Sequence, residues 1–220
     1  MTTLRLAIRA YRDFYDIVWW MLLATALWWL ALISVVFAPP ATLLLFRQAD
    51  PRLGIWEDRP SLREMGQYLI SQIGRSWVIA LATLPLIALM AFNLAYYGGS
   101  GSAIAALAPF WLVLLIIGVV ATLIIFALAA LTDANPTTCL RDGLRLTGLH
   151  FPRALVVLVI TFVIPALLLT SIFQFLIPLV LVLPGLVATA FSRFVLRVSR
   201  TPFPRPNEPT EERLHEKRSD

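Results

Sequence analysis

Long uninterrupted runs of apolar residues dominate the chain. Residues 17–37, 77–96 and 109–131 contain no charged side chain, and residues 154–192 form a run of 39 residues without one. A helix needs about 20 apolar residues to cross about 30 Å of hydrocarbon. Each of the first three runs therefore predicts one transmembrane helix.

The fourth run is long enough for two crossings. It contains Pro165, Pro178 and Pro184, and its most polar stretch, residues 170–174, lies near the middle. This pattern predicts a tight hairpin of two spans, over residues 154–172 and 175–192. The predicted fold class is an all-α, polytopic membrane helical bundle with five transmembrane helices, and the transmembrane domain covers residues 17–196.

The first run is followed by Pro39 and Pro40, which raises the alternative of a helical hairpin over residues 17–46. These 30 residues fall short of the roughly 40 that two full crossings require. We therefore expect one span followed by a short amphipathic segment.

The two ends of the chain differ from the apolar body. Leu4, Ile8, Tyr11 and Tyr15 recur at helical spacing among arginines, so residues 1–16 are predicted to form an interfacial amphipathic helix. Residues 201–220 contain four prolines and many charges, a composition typical of a disordered tail.

Two further amphipathic helices are expected on the membrane surface. Ser61 and Glu64 have the spacing of a capping box, which starts a helix. A second helix is predicted to start near Thr137 or Thr138, after Asn135 and Pro136, although Gly143 and Gly148 weaken it.

The order of surface helix, arginine and two spans occurs twice, with an offset of 78 residues. The offset pairs Arg63 with Arg141 and Arg75 with Arg153, and it also matches several apolar and threonine positions. This suggests a parallel internal repeat, a form of symmetry found in transporter folds.

Composition supports a membrane protein and excludes a water-soluble enzyme. Only 14% of the residues are charged and the mean hydropathy is +0.80, whereas soluble domains carry roughly 25% charged residues. Cys139 is the one cysteine, so no disulfide forms within the chain.

The net charge of +5 comes from short basic clusters beside apolar runs, which indicate topology signals rather than nucleic-acid binding. With five spans, fifteen basic residues fall on one side and three on the other. Positive residues are retained in the cytoplasm. The carboxyl terminus, with its tail, is therefore predicted to be cytoplasmic and the amino terminus outside. A re-entrant first segment with both termini inside is the alternative.

Chemistry-bearing residues are scarce in the predicted spans. The spans contain no ionisable group, and the chain shows no phosphate-binding loop, metal-binding motif or nucleophile motif. We therefore predict no enzyme, no cofactor and no catalytic or metal-binding residue. The charged residues of the two surface helices are the candidates for docking a partner: Arg63, Glu64, Arg141, Asp142 and Arg145.

The order of features resembles the YesL family of bacterial integral membrane proteins, whose biochemical activity is unassigned. The resemblance rests on FAPPATLLLF at residues 37–46, SLREMGQYLISQIGRSW at residues 61–77 and CLRDGLRLTGLHFPRALVVL at residues 139–158. It covers about residues 10–196. The dominance of arginine over lysine is also a hint of a bacterium with a GC-rich genome.

Members of this family are often encoded beside carbohydrate importers of the ATP-binding-cassette type, so the resemblance implies a role linked to sugar uptake. We therefore expect an accessory or assembly partner of such an importer, in the bacterial cell membrane. Its partners would be the lipid bilayer and the importer's permease or nucleotide-binding subunits. A stand-alone small-molecule transporter is the alternative. The family has no established binding residue to carry over.

Overall fold

The computed structural model describes residues 11, 14–15, 17–50, 52–53, 60–99, 103–132, 134–170 and 176–199. Every regular element in these ranges is helical. The predicted all-α class is therefore confirmed. The predicted tail and most of the predicted interfacial helix lie outside the described residues. The α-helices are α1 (Val18–Ile33), α2 (Ala38–Gln48), α3 (Leu62–Ser71), α4 (Ile73–Gly99), α5 (Ala108–Leu131), α6 (Pro136–Leu158), α7 (Ile164–Thr170) and α8 (Leu176–Val198).

Long apolar helices form the body of the bundle. In the described part, Ile73–Gly99, Ala105–Leu131 and Pro136–Leu167 are long and apolar enough to cross a membrane. They correspond to the second and third apolar runs and to the first half of the fourth. These helices are consistent with the predicted class of membrane protein.

The first apolar run forms a shorter helix than expected. The helix α1 ends at Ile33, and its 16 residues measure about 24 Å. The chain then reverses at residues 34–37, where Val35 takes a positive φ of 56°. The prolines stand in the first turn of α2, where their missing N–H groups cost nothing.

The helix α2 is a core helix rather than the short amphipathic segment that we expected. It packs against α1, α3, α4, α5 and α8. Leu43, Leu44 and Gln48 are all fully buried. Burial on several sides explains the error, because a short helix enclosed by others shows no polar face to solvent.

The fourth apolar run continues from α6 through a π-helical segment, Val159–Val163, into α7. In the π segment, the N–H of Ile164 donates to the carbonyl of Val159, five residues earlier. The next donor in this register would be residue 165, which is proline and has no N–H. The carbonyl of Ile160 accepts a hydrogen bond from the Tyr11 hydroxyl instead, at 3.0 Å.

The helix α7 ends at Thr170, and α8 begins at Leu176 and packs back against α7 and the π segment. Residues 171–174, most of the predicted turn, lie outside the described residues. Farther along α8, a Cβ on Gly185 would lie 3.0–3.2 Å from Phe14, Met21 and Thr25. A glycine at this position therefore lets the amino-terminal region pack directly against α8.

Candidate docking site

Arg75, near the start of α4, holds the turn between α5 and α6. Its Nη2 donates to the carbonyl oxygens of Thr132 and Ala134, at 2.7 Å each, and lies 3.8 Å from Sγ of Cys139. The last carbonyls of a helix lack intrahelical partners, and a cation is favourable beside them. The start of α4, the end of α5 and the start of α6 therefore meet at one end of the bundle, which we call the arginine-rich end.

A second arginine joins the end of α2 to the same place. The Nη2 atom of Arg52 lies 2.7 Å from Oδ2 of the buried Asp50 and also donates to the carbonyl of Leu131, at 3.3 Å. Burying a carboxylate is costly unless it is paired. The pair is therefore structural, and it was missed in the sequence, where Asp50 stands four residues after the apolar run that ends at Phe46.

The helix α3 begins with the predicted capping box. The N–H of Ser61 donates to Oε2 of Glu64 at 2.6 Å, and the N–H of Glu64 donates to Oγ of Ser61 at 3.4 Å. The hydrogen bonds from the backbone and side chain of Ser61 lower the pKa of Glu64. This cap is local, because Glu64 lies in the first turn of α3 and Ser61 is the residue directly before the helix.

Most of α3 stands free of the bundle. Met65 is its one buried residue, and the ring of Tyr68 lies under the guanidinium of Arg47, at 4.6 Å. Leu62, Arg63 and Ile70 are exposed. The structure therefore places the predicted docking residues Arg63 and Glu64 on an accessible helix.

The first part of α6, residues 136–150, packs closely against α5, in contrast to α3. Cys139, Gly143 and Thr147 are buried. A Cβ on Gly143 would lie 3.2 Å from Cα of Ile125 and would overlap its side chain. The two helices therefore approach backbone to backbone, and the glycine that weakens α6 in isolation permits this contact.

The chain bends at His150, whose φ of −129° and ψ of 15° are not helical. His150 lines a cleft of about 530 Å³ together with residues at the ends of α5 and α8. We call it the α5–α6–α8 cleft. Its lining residues are Leu128, Asp142, Arg145, Leu146, Leu149, His150, Val198 and Ser199. Because both Pro136 and His150 lie near the arginine-rich end, this part of α6 runs across that end.

The docking residues predicted on α6 lie around its exposed side. Arg141 and Asp142 form an ion pair at 3.4 Å, with exposed side chains. Such a surface pair contributes only about 0–1 kcal/mol. Arg145 is exposed at the cleft. These side chains therefore add little to the stability of the fold.

The structure does not join the two predicted groups into one site. The helix α3 packs against α2 and α4, whereas α6 packs against α4, α5 and α8. We therefore describe two separate patches at the arginine-rich end: the α3 patch (Leu62, Arg63 and Glu64) and the α6 patch (Arg141 and Leu144).

Comparison with protein-family models, with curated proteins and with solved structures finds no match for this chain. Its function is therefore proposed from the geometry of the arginine-rich end and from the resemblance in sequence.

Proposed function

We propose that this chain is an integral protein of the bacterial cell membrane that acts by contact, as an accessory or assembly partner of a carbohydrate ABC importer. The observation that carries the proposal is the pair of patches, where exposed arginines stand beside the exposed leucines Leu62 and Leu144. The importer, through its permease or nucleotide-binding subunits, is the partner that the YesL resemblance suggests.

Several buried threonine hydroxyls in the spans form hydrogen bonds within their own helices. Thr83, Thr161 and Thr189 each donate to the carbonyl four residues earlier, at 2.7–3.0 Å. A transporter more commonly uses polar or ionisable groups near mid-depth to hold its substrate. These back-bonded hydroxyls support a structural role for the interior, and a function by contact rather than by transport or catalysis.

One buried hydroxyl supports the alternative of a stand-alone transporter. Thr25 is fully buried, and its Oγ1 has no hydrogen-bond partner in the described part of the chain. It lies against Gly185, where α1 meets α8. A small polar solute would satisfy this hydroxyl if α1 and α8 separated enough to admit it.

Copurification tests the proposal. Wild-type protein is purified in mild detergent beside a variant that carries Arg63→Glu and Arg141→Glu, one reversal in each patch. Arg153→Glu is the control, because Arg153 is exposed and lies outside both patches. We expect importer subunits to accompany the wild type and the control but not the double variant.

Sugar uptake in a deletion strain completes this test. Recovery of the wild-type protein alone, together with unchanged uptake of oligosaccharides on deletion, would contradict the accessory role. Uptake by purified protein in vesicles, lost in Thr25→Val, would establish the transporter instead.

We further propose that the chain crosses the membrane five times, through α1, α4, α5, the α6–α7 run and α8, with the arginine-rich end in the cytoplasm. The fifteen-to-three division of basic residues supports this orientation. The shortness of α1 and its reversal into α2 favour the re-entrant alternative, in which both termini lie inside.

A membrane-impermeant maleimide distinguishes the two topologies in intact cells. Single cysteines are introduced as Thr3→Cys, Ser61→Cys and Ser100→Cys, while the native Cys139 is buried and contributes little background. Five crossings predict labelling at positions 3 and 100 but not at 61. A re-entrant first segment predicts labelling at 100 alone.

The internal repeat also remains part of the proposal. Thr83 and its counterpart Thr161 are both buried and bond in the same way, and Val78 and Val156 are both exposed. These matches support equivalent faces in the two copies. Arg75 has diverged in role from its counterpart Arg153, since it caps the turn while Arg153 is exposed.

A further inference from the structure

The first part of α6 presents two different faces besides the one that packs on α5. With about 100° per residue, Arg141 and Leu144 point away from the buried Gly143. At this spacing Arg145 lies about 40° around the helix from Arg141, and Leu149 lies farther round, toward the side that lines the α5–α6–α8 cleft. The cleft therefore adjoins the α6 patch, and the two residues of that patch, Arg141 and Leu144, do not line it.

The cleft combines cationic and apolar chemistry. Arg145 and His150 offer hydrogen-bond donors, while Leu146, Leu149 and Val198 supply apolar surface. The carboxylate of Asp142 also lines the cleft, but it pairs with Arg141, and this pairing offsets its negative charge. An occupant with a phosphate group and a hydrocarbon chain would satisfy both parts of this lining.

The position of the cleft also points to a lipid. It is lined by Val198, the last residue of α8, and by Leu128, in the last turn of α5. Apolar helices end where hydrocarbon gives way to the headgroup layer. A cavity between helices at this level is in contact with lipid on its open side, and basic pockets of this kind bind anionic headgroups.

We propose that the α5–α6–α8 cleft binds an anionic phospholipid, with its phosphate on Arg145 and His150 and an acyl chain along Leu146 and Leu149. The guanidinium of Arg145 matches the geometry of a phosphate. The volume of about 530 Å³ lies in the range of small-ligand sites and accommodates a headgroup with the first part of a chain.

Native mass spectrometry of the purified protein tests this site. The protein in detergent is titrated with phosphatidylglycerol, with phosphatidylcholine of the same acyl chains, and with glycerol 3-phosphate. We expect one phosphatidylglycerol to be retained in preference to the other two. Arg145→Gln should weaken its binding about tenfold, the scale of a lost charged hydrogen bond.

Matched variants decide the assignment. Arg153→Gln removes the same charge at an exposed position outside the cleft and away from Asp142, so it should leave the affinity unchanged, and Arg145→Lys should retain part of it. Leu149→Ser should weaken lipid binding as well. Equal affinity in Arg145→Gln and wild type, or equal binding of phosphatidylcholine, would overturn the proposal. Binding of glycerol 3-phosphate as tight as that of the lipid would assign the cleft to a soluble phosphate ester instead.

Discussion

The helix α3 and the first part of α6 begin from similar amphipathic patterns but stand in different relations to the bundle. Only Met65 of α3 is buried, and a Cβ on its Gly66 would meet nothing within 4 Å. In α6, Gly143 touches the backbone of Ile125. An apolar stripe therefore predicts which face of a helix turns inward, but a single small residue decides how closely that face is packed.

The starts of the two helices are also stabilised differently. The capping box of Ser61 and Glu64 lies within α3. Asn135, at the start of α6, makes no side-chain cap, and the turn before it is held by Arg75 from α4. The start of α3 is therefore stabilised by residues next to it in sequence, and the start of α6 by an arginine from another helix. The two should respond to different substitutions.

The largest effect is expected from Gly143→Leu. The new side chain would overlap Ile125 and force α6 away from α5, and overpacking typically costs about 1–3 kcal/mol. The midpoint of thermal unfolding in detergent should fall by about 5 °C. Gly148→Leu is the control on the same helix, since nothing lies within 4 Å of that position. Equal midpoints for the two variants would contradict the close contact of α6 with α5, on which the difference between α6 and α3 rests.

Arg75→Gln should have the next largest effect. The half-buried carbonyls of Thr132 and Ala134 would lose their charged donor, at a cost near the lower end of about 1.5–3 kcal/mol because water can partly replace it. Increased hydrogen exchange at the first turns of α6, with α3 unchanged, is the expected signature. Arg153→Gln removes an exposed arginine and should change neither helix. Faster exchange in α3 alone would contradict the assigned role.

The cap variants should have a smaller effect, and it should fall on α3 rather than on α6. Ser61→Ala removes a capping hydroxyl and should cost about 1 kcal/mol. Asn135→Ala removes a side chain that makes no cap and should cost much less. Hydrogen exchange at the first amides of α3 and α6 measures both. A larger loss from Asn135→Ala would show that α6 also depends on a local cap.

The smallest effect is a dependence of the α3 start on pH. The folded state lowers the pKa of Glu64, so the cap is fully stabilising above the ordinary pKa of a glutamate. The stabilisation is lost as pH falls through the lowered folded pKa. Exchange at the start of α3 should therefore rise in acid, relative to that of α6, and Glu64→Gln should abolish the difference. A dependence that persists in this variant would have another origin.

The sequence predicts local features of this fold better than tertiary ones. The capping box of α3 and the long apolar helices follow from spacing and run length. The enclosure of α2 does not follow, because the residues that surround it lie far away in sequence. The reversal at Val35 escapes prediction for another reason, since a β-branched residue rarely takes a positive φ.

The candidate site shows the same division. Arg63 and Arg141 were predicted on amphipathic helices, and both are exposed. The pairing of Asp50 with Arg52, and its contact with Leu131, depends on where α2 ends inside the bundle. The cleft beside Arg145 likewise needs the end of α8, about fifty residues later in the chain, to be brought near.

The burial of Cys139 makes its alkylation a measure of local opening in the unmodified chain. The thiol is fully shielded beneath Arg75 and the turn after α5. Alkylation needs an accessible thiolate, so it waits for this region to open. When alkylation is slow relative to reclosing, its rate divided by that of an unprotected thiol gives the population of the open form. A bound partner or lipid that closes this end should slow the reaction, and the change can be followed in native membranes without any substitution.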